Sequence, residues 1–186
     1  MHEVINILGG GISVRKHNMD VNEICKRAYT IGTNDAFLLA PANIGISADK
    51  NFPHDFLERL RGREVYLKKC AETWPGLTIF TGGGKQPFSD IPGVLNGSNT
   101  GLCAFNLAYQ MRPKKIYLFG FDCSENGYWY ENVNYRPNFP QSWIQEFVDA
   151  KALLDKANIE VFIIGESDLT NYKIISYEEY LKCTSL

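Results

Sequence analysis

Residues 97–124 read GSNTGLCAFNLAYQMRPKKIYLFGFDCS, a run of small residues, then a helix pattern, then a short apolar run. The pattern predicts a helix from about Leu102 to Met111 and a buried strand at KIYLF, residues 115–119. Mostly apolar strands of this kind are typical of a parallel sheet that helices cover on both faces. The strand continues into Gly-Phe-Asp, which places the carboxylate of Asp122 at its carboxyl end.

The same alternation of short apolar runs and helix patterns extends along the whole chain. Strands are also predicted at 4–8, 28–32, 44–48, 64–68, 77–80 and 160–164, and helices at about 13–27, 55–62, 141–157 and 176–183. Right-handed crossovers between such strands produce a doubly wound α/β domain. We therefore predict a single Rossmann-like domain over residues 1–186, with a mostly parallel sheet of roughly six or seven strands.

The composition argues against several classes of protein. The 186 residues are 45% hydrophobic and 22% charged, and the net charge of -2 supplies no basic field for nucleic acid. The five cysteines are scattered without a C-x-x-C pair, which indicates neither a disulfide framework nor a zinc ribbon. No signal-peptide pattern and no apolar run of ~20 residues is present, so we expect a cytoplasmic protein without a membrane segment. The oligomeric state stays open.

The first candidate site is the glycine turn in ILGGGISV, directly after the first predicted strand. Gly9, Gly10 and Gly11 permit a tight turn whose backbone N–H groups approach a phosphate. Ser13 either caps the following helix or donates to that phosphate. The third glycine of the dinucleotide fingerprint G-x-G-x-x-G is a valine here, so a purely structural turn is the alternative.

Polar residues also follow the next two predicted strands. Asn34 and Asp35, in GTNDAF, would hold ribose hydroxyls or a base edge, with an Asx turn as the alternative. Asp35 also fits the acidic residue that a nicotinamide-dinucleotide enzyme places near this position. Asp49 follows the strand at 44–48. The carboxyl ends of parallel strands share one edge of the sheet, so we expect these side chains to lie together.

The start of the late helix is a second candidate site for an anion or a sugar. Ser98, Asn99, Thr100 and Gly101 offer hydroxyl, amide and backbone donors at a helix N-terminus. Asp122 would stand at the mouth of the sheet, either as a functional carboxylate or as a cap of the next turn. Aromatic residues then follow in the loop after this strand, and they would either close over a base or sugar or anchor the loop: Tyr128, Trp129, Tyr130 and Tyr135.

The combination of motifs resembles the Rossmann-like bacterial sialyltransferases. It equally resembles the MptE-like 6-hydroxymethylpterin diphosphokinases and related phage proteins. The matching segments are the glycine turn with its serine, IGTNDAF, ISADKNF and NTGLCAFNLAYQMRPKKIYLFGFDCS, within residues 4–124. The resemblance implies a nucleotide pocket, and in the sialyltransferases the matching positions hold or face a CMP-sugar: Gly9, Gly10, Gly11, Ser13, Asn34, Ser98, Asn99, Thr100 and Gly101, with Asp49 nearby.

In the sialyltransferase family a histidine after the GFD-like strand acts as the general base on the acceptor hydroxyl. The matching region here, residues 124–141, contains no histidine. The residues that would replace it are Asp122, Glu125 and Tyr128, and a base works best when its pKa lies near the working pH. We take Asp122 as the candidate catalytic residue.

These features lead to one main functional hypothesis and several alternatives. The main hypothesis is a nucleotide- or nucleotide-sugar-dependent transferase of glycosyltransferase type, with a small-molecule or glycan acceptor. Diphosphate transfer of the MptE type fits the same pocket and requires Mg²⁺ with an ATP-type donor. Two other classes stay open: a phage-type binding protein that holds a nucleotide without turning it over, and a nicotinamide-dependent or other Rossmann enzyme.

Overall fold

The computed structural model describes residues 2–49, 52–68, 70–82, 86–124, 127–130 and 141–184, which form eight strands and seven helices. The strands are β1 (Val4–Leu8), β2 (Tyr29–Thr33), β3 (Ile44–Ser47), β4 (Glu64–Lys68), β5 (Leu77–Phe80), β6 (Lys115–Phe119), β7 (Glu160–Ile164) and β8 (Lys173–Ile175). The helices are α1 (Ser13–Lys16), α2 (Val21–Arg27), α3 (Asp35–Leu39), α4 (Phe52–Leu60), α5 (Thr100–Gln110), α6 (Gln141–Lys156) and α7 (Tyr177–Cys183).

All eight strands are parallel and form one sheet in the order β5-β4-β3-β2-β1-β6-β7-β8. Strand β1 is internal, with Ile5 opposite Tyr29 of β2 on one side and opposite Ile116 of β6 on the other. The chain moves outward from β1 to β5 and then crosses back to β6, so the strand order reverses between β1 and β6. The predicted doubly wound parallel sheet is confirmed, and ligands of such sheets bind at this reversal, beyond the carboxyl ends of the strands.

Helices cover both faces of the sheet, and the strand residues alternate between the two layers. In β6, Ile116 and Leu118 pack in the cluster that contains α5 and α6. Tyr117 and Phe119 pack in the opposite cluster, with α1, α2 and α7. Burial on both faces explains why the strands carry so few polar residues. None of the helices in the described part of the chain has the length and apolar character needed to span a bilayer.

Some elements differ from the sequence prediction. The helix predicted at 13–27 is two helices, because Asn18 adopts a left-handed backbone with φ of +48° and Asp20 caps the start of α2. Helix α3 replaces the turn expected after β2. The additional strand β8 has only three residues, and two of them, Lys173 and Ile174, are exposed, so no apolar run marked it.

The glycine- and proline-rich loop before α5 packs largely along that helix. The fully buried Asn106 of α5 accepts from the N–H groups of Ser89 and Asn96 at 3.1 and 2.7 Å. Its Nδ2 donates to the Ser89 carbonyl at 2.9 Å. Gln110 donates to carbonyl groups of the same loop, including that of Ser89 at 2.8 Å. Residues 86–96 are therefore held to the helix by Asn106 and Gln110, whose side chains form hydrogen bonds with backbone N–H and carbonyl groups of the loop.

Candidate functional site

A cleft of about 210 Å³ opens where the strand order reverses. The glycine turn follows β1 and residues 120–122 follow β6, and both segments line the cleft. Helix α5 contributes its first residues, and the segments after β2 and β3 contribute one polar residue each. The predicted site residues that line the cleft are Gly9, Gly10, Gly11, Asn34, Asp49, Asn99, Thr100, Gly101 and Asp122.

Three predicted site residues do not line the cleft. Ser13 is fully buried, and α1 begins after Ile12 without a side-chain cap, so the predicted cap by Ser13 is wrong. Asp35 is the first residue of α3, and burial raises the pKa of its carboxyl, against the lowering effect of Arg59. Ser98 is exposed, and its N–H donates to Oε2 of Glu146 at 3.0 Å.

The glycine turn is packed tightly against the end of β6. A Cβ on Gly9 would lie 2.7 Å from the Gly120 carbonyl oxygen, and one on Gly11 would lie 2.7 Å from Cγ of Asp122. The N–H of Gly9 donates to the Phe119 carbonyl at 2.7 Å, and that of Gly11 donates to Gly120 at 2.9 Å. These glycines therefore let two strand ends approach each other, and their N–H groups are already engaged within the protein.

Asp122 is the buried carboxylate of the cleft, with 4% of its surface exposed. Its Oδ2 accepts from the N–H of Ser13 at 2.8 Å, whereas its buried Oδ1 has no hydrogen-bond partner among the described residues. Burial raises the pKa of this carboxyl, and hydrogen bonding from Ser13 opposes that shift. A buried carboxylate oxygen without a donor is costly, so the site favours either a proton on Asp122 or a donor group from a ligand.

Asn34 and Asp49 form a polar pair on the other side of the glycine turn. Nδ2 of Asn34 donates to Oδ2 of Asp49 at 2.6 Å, and Oδ1 of Asn34 is buried without a partner among the described residues. No side-chain cap bond is made by Asn34, so the Asx-turn alternative is wrong. Its backbone has φ of +46° and ψ of -128°, a conformation that costs free energy and is concentrated at functional sites.

The N-terminus of α5 faces the cleft beside this pair. Oδ1 of Asn99 caps the helix by accepting from the N–H of Leu102 at 3.0 Å, and Oγ1 of Thr100 accepts from the N–H of Ala48 at 3.1 Å. The N–H groups of Thr100 and Gly101, and the buried Nδ2 of Asn99, donate to no described residue. This edge of the cleft therefore offers donors at the positive end of a helix dipole.

Aromatic side chains form the remaining part of the cleft. Tyr128 and Tyr130 line it with parallel rings, and Trp143 lines it from the first turn of α6. The sequence analysis marked the two tyrosines but not Trp143, because no local signal distinguishes a tryptophan in the cleft from one in the core. Glu125 and Tyr135, which the sequence also marked, lie outside the described residues.

The charged groups that line the cleft are carboxylates. Among the described residues these are Asp49 and Asp122, and no lysine, arginine or histidine lines it. The described part of the chain also contains no group of three or more His, Cys, Asp or Glu side chains placed to hold a metal ion. A phosphate in this cleft would thus depend on the N–H groups at the start of α5, or on a cation that arrives with the nucleotide.

Comparisons of the chain with protein-family models, with curated proteins and with solved structures found no match. A Rossmann-like sheet hosts many unrelated activities, so the fold by itself does not indicate a reaction. The geometry and chemistry of the cleft are therefore the basis on which a function is assigned.

Proposed function

We propose that the chain is a nucleotide- or nucleotide-sugar-dependent transferase of glycosyltransferase type, acting on the hydroxyl group of a small molecule or glycan. The observation that carries this proposal is the state of Asp122. It is a buried carboxylate at the switch point of the sheet, with one oxygen fixed by Ser13 and the other without a donor among the described residues. An acceptor hydroxyl is a donor of the required kind.

The donor substrate would occupy the polar side of the cleft. The N–H groups of Thr100 and Gly101 suit phosphate oxygens, because they lie at a helix N-terminus and donate to no described residue. The oxygens of Asn34 and Asp49 suit sugar hydroxyls, which donate hydrogen bonds. Support for a nucleotide donor also comes from the resemblance of the sequence motifs to nucleotide-dependent transferases.

The reaction step can be written with its atoms and electrons in balance. The acceptor oxygen forms a bond to the anomeric carbon of the donor sugar, while the bond from that carbon to the phosphate oxygen breaks. The electron pair of the broken bond stays on the nucleotide phosphate, and the N–H groups of Thr100 and Gly101 stabilise that charge. The hydroxyl proton passes to the carboxylate of Asp122, which lines the cleft and whose raised pKa makes it a better base than an ordinary aspartate.

Magnesium-dependent diphosphate transfer is a second candidate, and the charge of the cleft favours it. Asp49 and Asp122 both line the cleft, and no basic side chain of the described chain does. A triphosphate donor would meet two carboxylates there, so Mg²⁺ would be needed to offset the repulsion. In that reaction the acceptor oxygen attacks the β-phosphorus, AMP leaves, and the proton again passes to Asp122.

The test is a thermal-shift panel followed by turnover assays on the full chain. The panel holds CMP, CTP, CDP, UDP, GDP, ATP and NAD, each with and without Mg²⁺. A ligand at about 100 times its dissociation constant adds roughly 2.7 kcal/mol, a shift of several degrees for a chain of this size. The panel identifies the base whose nucleotide raises the melting temperature. Nucleotide sugars with that base are then incubated with hydroxyl acceptors, and the release of free nucleotide is measured. Asp122→Asn is the inactive variant, and Asp155→Asn, on exposed α6 surface, is the matched control.

Each outcome selects among the candidates. Release of nucleotide that depends on the acceptor and on Asp122 supports sugar transfer, whereas AMP release from ATP only with Mg²⁺ supports diphosphate transfer. A ligand that shifts the melting temperature and is recovered intact with every acceptor indicates a binding protein. The nucleotide proposal is rejected if no compound of the panel shifts the melting temperature.

A further inference from the structure

Parallel aromatic rings form one wall of the cleft. The rings of Tyr128 and Tyr130 lie with their centroids 5.4 Å apart and their planes within 8°. Trp143 lines the same cleft from α6. We call Tyr128 and Tyr130, together with Trp143 on the α6 side of the cleft, the aromatic wall. A wall of this composition presents flat π-faces and keeps polar atoms at the ring edges.

The segment that carries the two tyrosines, residues 128–130, is fixed to the glycine turn by hydrogen bonds of Trp129 and by a backbone bridge. The N–H of Trp129 donates to the Gly10 carbonyl at 2.9 Å, and its indole Nε1 donates to the Gly9 carbonyl at 3.0 Å. Gly11 pairs with Tyr128 in an antiparallel bridge. These contacts hold the two tyrosines in place before any ligand binds, which lowers the entropy cost of binding.

Gly10 makes room for the aromatic wall. A Cβ at this position would lie 2.7 Å from Cδ1 of Tyr128 and 2.7 Å from Oη of Tyr130. The rings therefore occupy the space over the turn where a Rossmann-type phosphate would otherwise lie. In this arrangement the glycine turn accommodates the two tyrosine rings, and the phosphate would bind at the start of α5.

The cleft is consequently divided into two halves. The polar half lies on the side of β2 and β3, where Asn34 and Asp49 follow the strands and Thr100 bonds to Ala48. The aromatic half lies over the turn after β1 and beside the end of β6. A ligand with one planar ring and one hydroxylated, phosphorylated end matches both halves.

We propose that the aromatic wall is the subsite for the nucleobase, which stacks there while the ribose and phosphate extend toward Asn34 and Thr100. The inference rests on the proposed nucleotide ligand and adds where its base binds. Every nucleobase has a π-face, and stacking on aromatic side chains contributes substantially to binding and tolerates differences in sequence. Discrimination between bases would then come from the polar edges around the wall.

The experiment compares ligands that contain a base with one that lacks it. CMP, UMP, AMP, GMP and ribose 5-phosphate are titrated by calorimetry against the full chain and against Tyr128→Ala, Tyr128→Phe and Trp143→Leu. We expect at least one nucleoside monophosphate to bind at least about tenfold more tightly than ribose 5-phosphate. Tyr128→Ala and Trp143→Leu should each remove most of that advantage, and Tyr128→Phe should retain it.

Control measurements separate a lost stack from a lost fold. Circular dichroism establishes whether each variant is folded. Tyr128→Ala and Trp143→Leu change different parts of the chain, so if one of them misfolds, the other still tests the proposal. Binding of ribose 5-phosphate should stay unchanged in both. A nucleoside monophosphate that stacks on Trp143 should also quench tryptophan emission in the wild type and do so less in Trp143→Leu.

The base subsite is rejected if ribose 5-phosphate binds as tightly as every nucleoside monophosphate, or if Tyr128→Ala weakens both classes equally. The first result would make the wall a surface for the sugar. Base-dependent binding without any transferred product would reject the proposed reaction and keep the subsite. Transfer from a nucleotide donor, combined with binding that does not depend on the base, would keep the proposed reaction and reject the base subsite. If no probe binds, both the reaction and the subsite are rejected.

Discussion

The N–H of Ser13 donates a 2.8 Å hydrogen bond to Oδ2 of Asp122, across 109 residues of sequence and across the switch point of the sheet. This bond joins the start of α1 to the segment after β6. It holds one carboxylate oxygen toward α1 and leaves the other, Oδ1, without a partner among the described residues. The bond therefore orients Asp122 before a substrate arrives, and orientation of this kind supports catalysis.

Replacing Asp122 by Asn should stabilise the protein while removing transfer activity. Asn keeps an acceptor for the Ser13 N–H but carries no charge. The pKa of Asp122 is raised in the folded state, so its contribution to stability is present below the unfolded pKa and is lost as pH rises through the folded pKa. We therefore expect a higher melting temperature than the wild type at about pH 8, and a difference that shrinks toward about pH 4.

Calorimetry across this pH range measures the effect, with Asp155→Asn as the exposed control on α6. The interpretation of Asp122 would be wrong if the Asn variant were less stable than the wild type at every pH. In the proposed reaction the same group should set the acidic limb of the pH–rate profile, since transfer would require the ionised base. That limb should lie above the range of an ordinary aspartate and should be absent from the residual rate of the Asn variant.

Substituting Gly10 by Ala should displace the aromatic wall. The new Cβ would lie 2.7 Å from both Tyr128 and Tyr130, closer than side chains tolerate. We expect a loss of about 1–3 kcal/mol in the free energy of unfolding, measured in urea, together with weaker nucleotide binding. In a Tyr128→Ala, Tyr130→Phe background both contacts are absent, so the same substitution should cost less. If Gly10→Ala cost the same free energy in the wild type and in the double variant, its effect would not come from contacts with the two tyrosines.

The sequence predicted the fold well because parallel strands buried on two faces must be short and apolar. That requirement marked β1, β3 and β6, whose residues are nearly all buried. It did not mark β8, since an edge strand of three residues needs no apolar run. Likewise, the break before α2 depends on the left-handed backbone of Asn18, and helix periodicity continues through such a residue without a signal.

The site was predictable only where topology alone brings residues together. Asn34, Asp49 and Asp122 follow strands that end at one edge of the sheet, so their position followed from the fold class. The direction of a side chain was not predictable, and Asp35 consequently lies outside the cleft beside Asn34. The engagement of the glycine N–H groups by β6, and the role of Trp143, depend on tertiary contacts that no local pattern reports.

Removing the Asn106 side chain should destabilise the protein without changing the cleft. Asn106→Ala removes the acceptor of two loop N–H groups, those of Ser89 and Asn96, whereas the Ser89 carbonyl keeps its bond from Gln110. Buried groups left in this way cost about 1–3 kcal/mol each before relaxation, so we expect a loss of about 2–4 kcal/mol in urea unfolding. Nucleotide affinity of the folded variant should be unchanged, because Asn106 does not line the cleft. A large loss of affinity would show that the loop supports ligand binding.

The strained backbone of Asn34 can be measured by comparing two substitutions. Asn34→Gly and Asn34→Ala both remove the bond to Asp49, but only glycine adopts φ of +46° and ψ of -128° without strain. The glycine variant should therefore be more stable than the alanine variant by about 1–3 kcal/mol in urea unfolding. Both should bind nucleotide more weakly than the wild type. Equal stability of the two would mean that this backbone conformation carries no strain.

Asn99 has a structural role as a cap and a binding role in the proposed site, and two substitutions separate them. Its Oδ1 caps α5 by accepting from Leu102, and its buried Nδ2 has no acceptor among the described residues. Asn99→Ser keeps a capping oxygen, whereas Asn99→Ala removes it and should cost about 1 kcal/mol of stability. Thermal unfolding measures this difference between the two variants.

Both variants lack the Nδ2 donor, so both should bind the nucleotide more weakly, by about tenfold for one lost hydrogen bond to a charged phosphate. Asn99→Asp is the sharper case, because it keeps the cap and favours the helix dipole while adding a third carboxylate to the cleft. It should be at least as stable as the wild type, yet bind nucleotide without Mg²⁺ most weakly of the three. Undiminished affinity in Asn99→Asp would place the phosphate away from α5, since a carboxylate beside it would repel it.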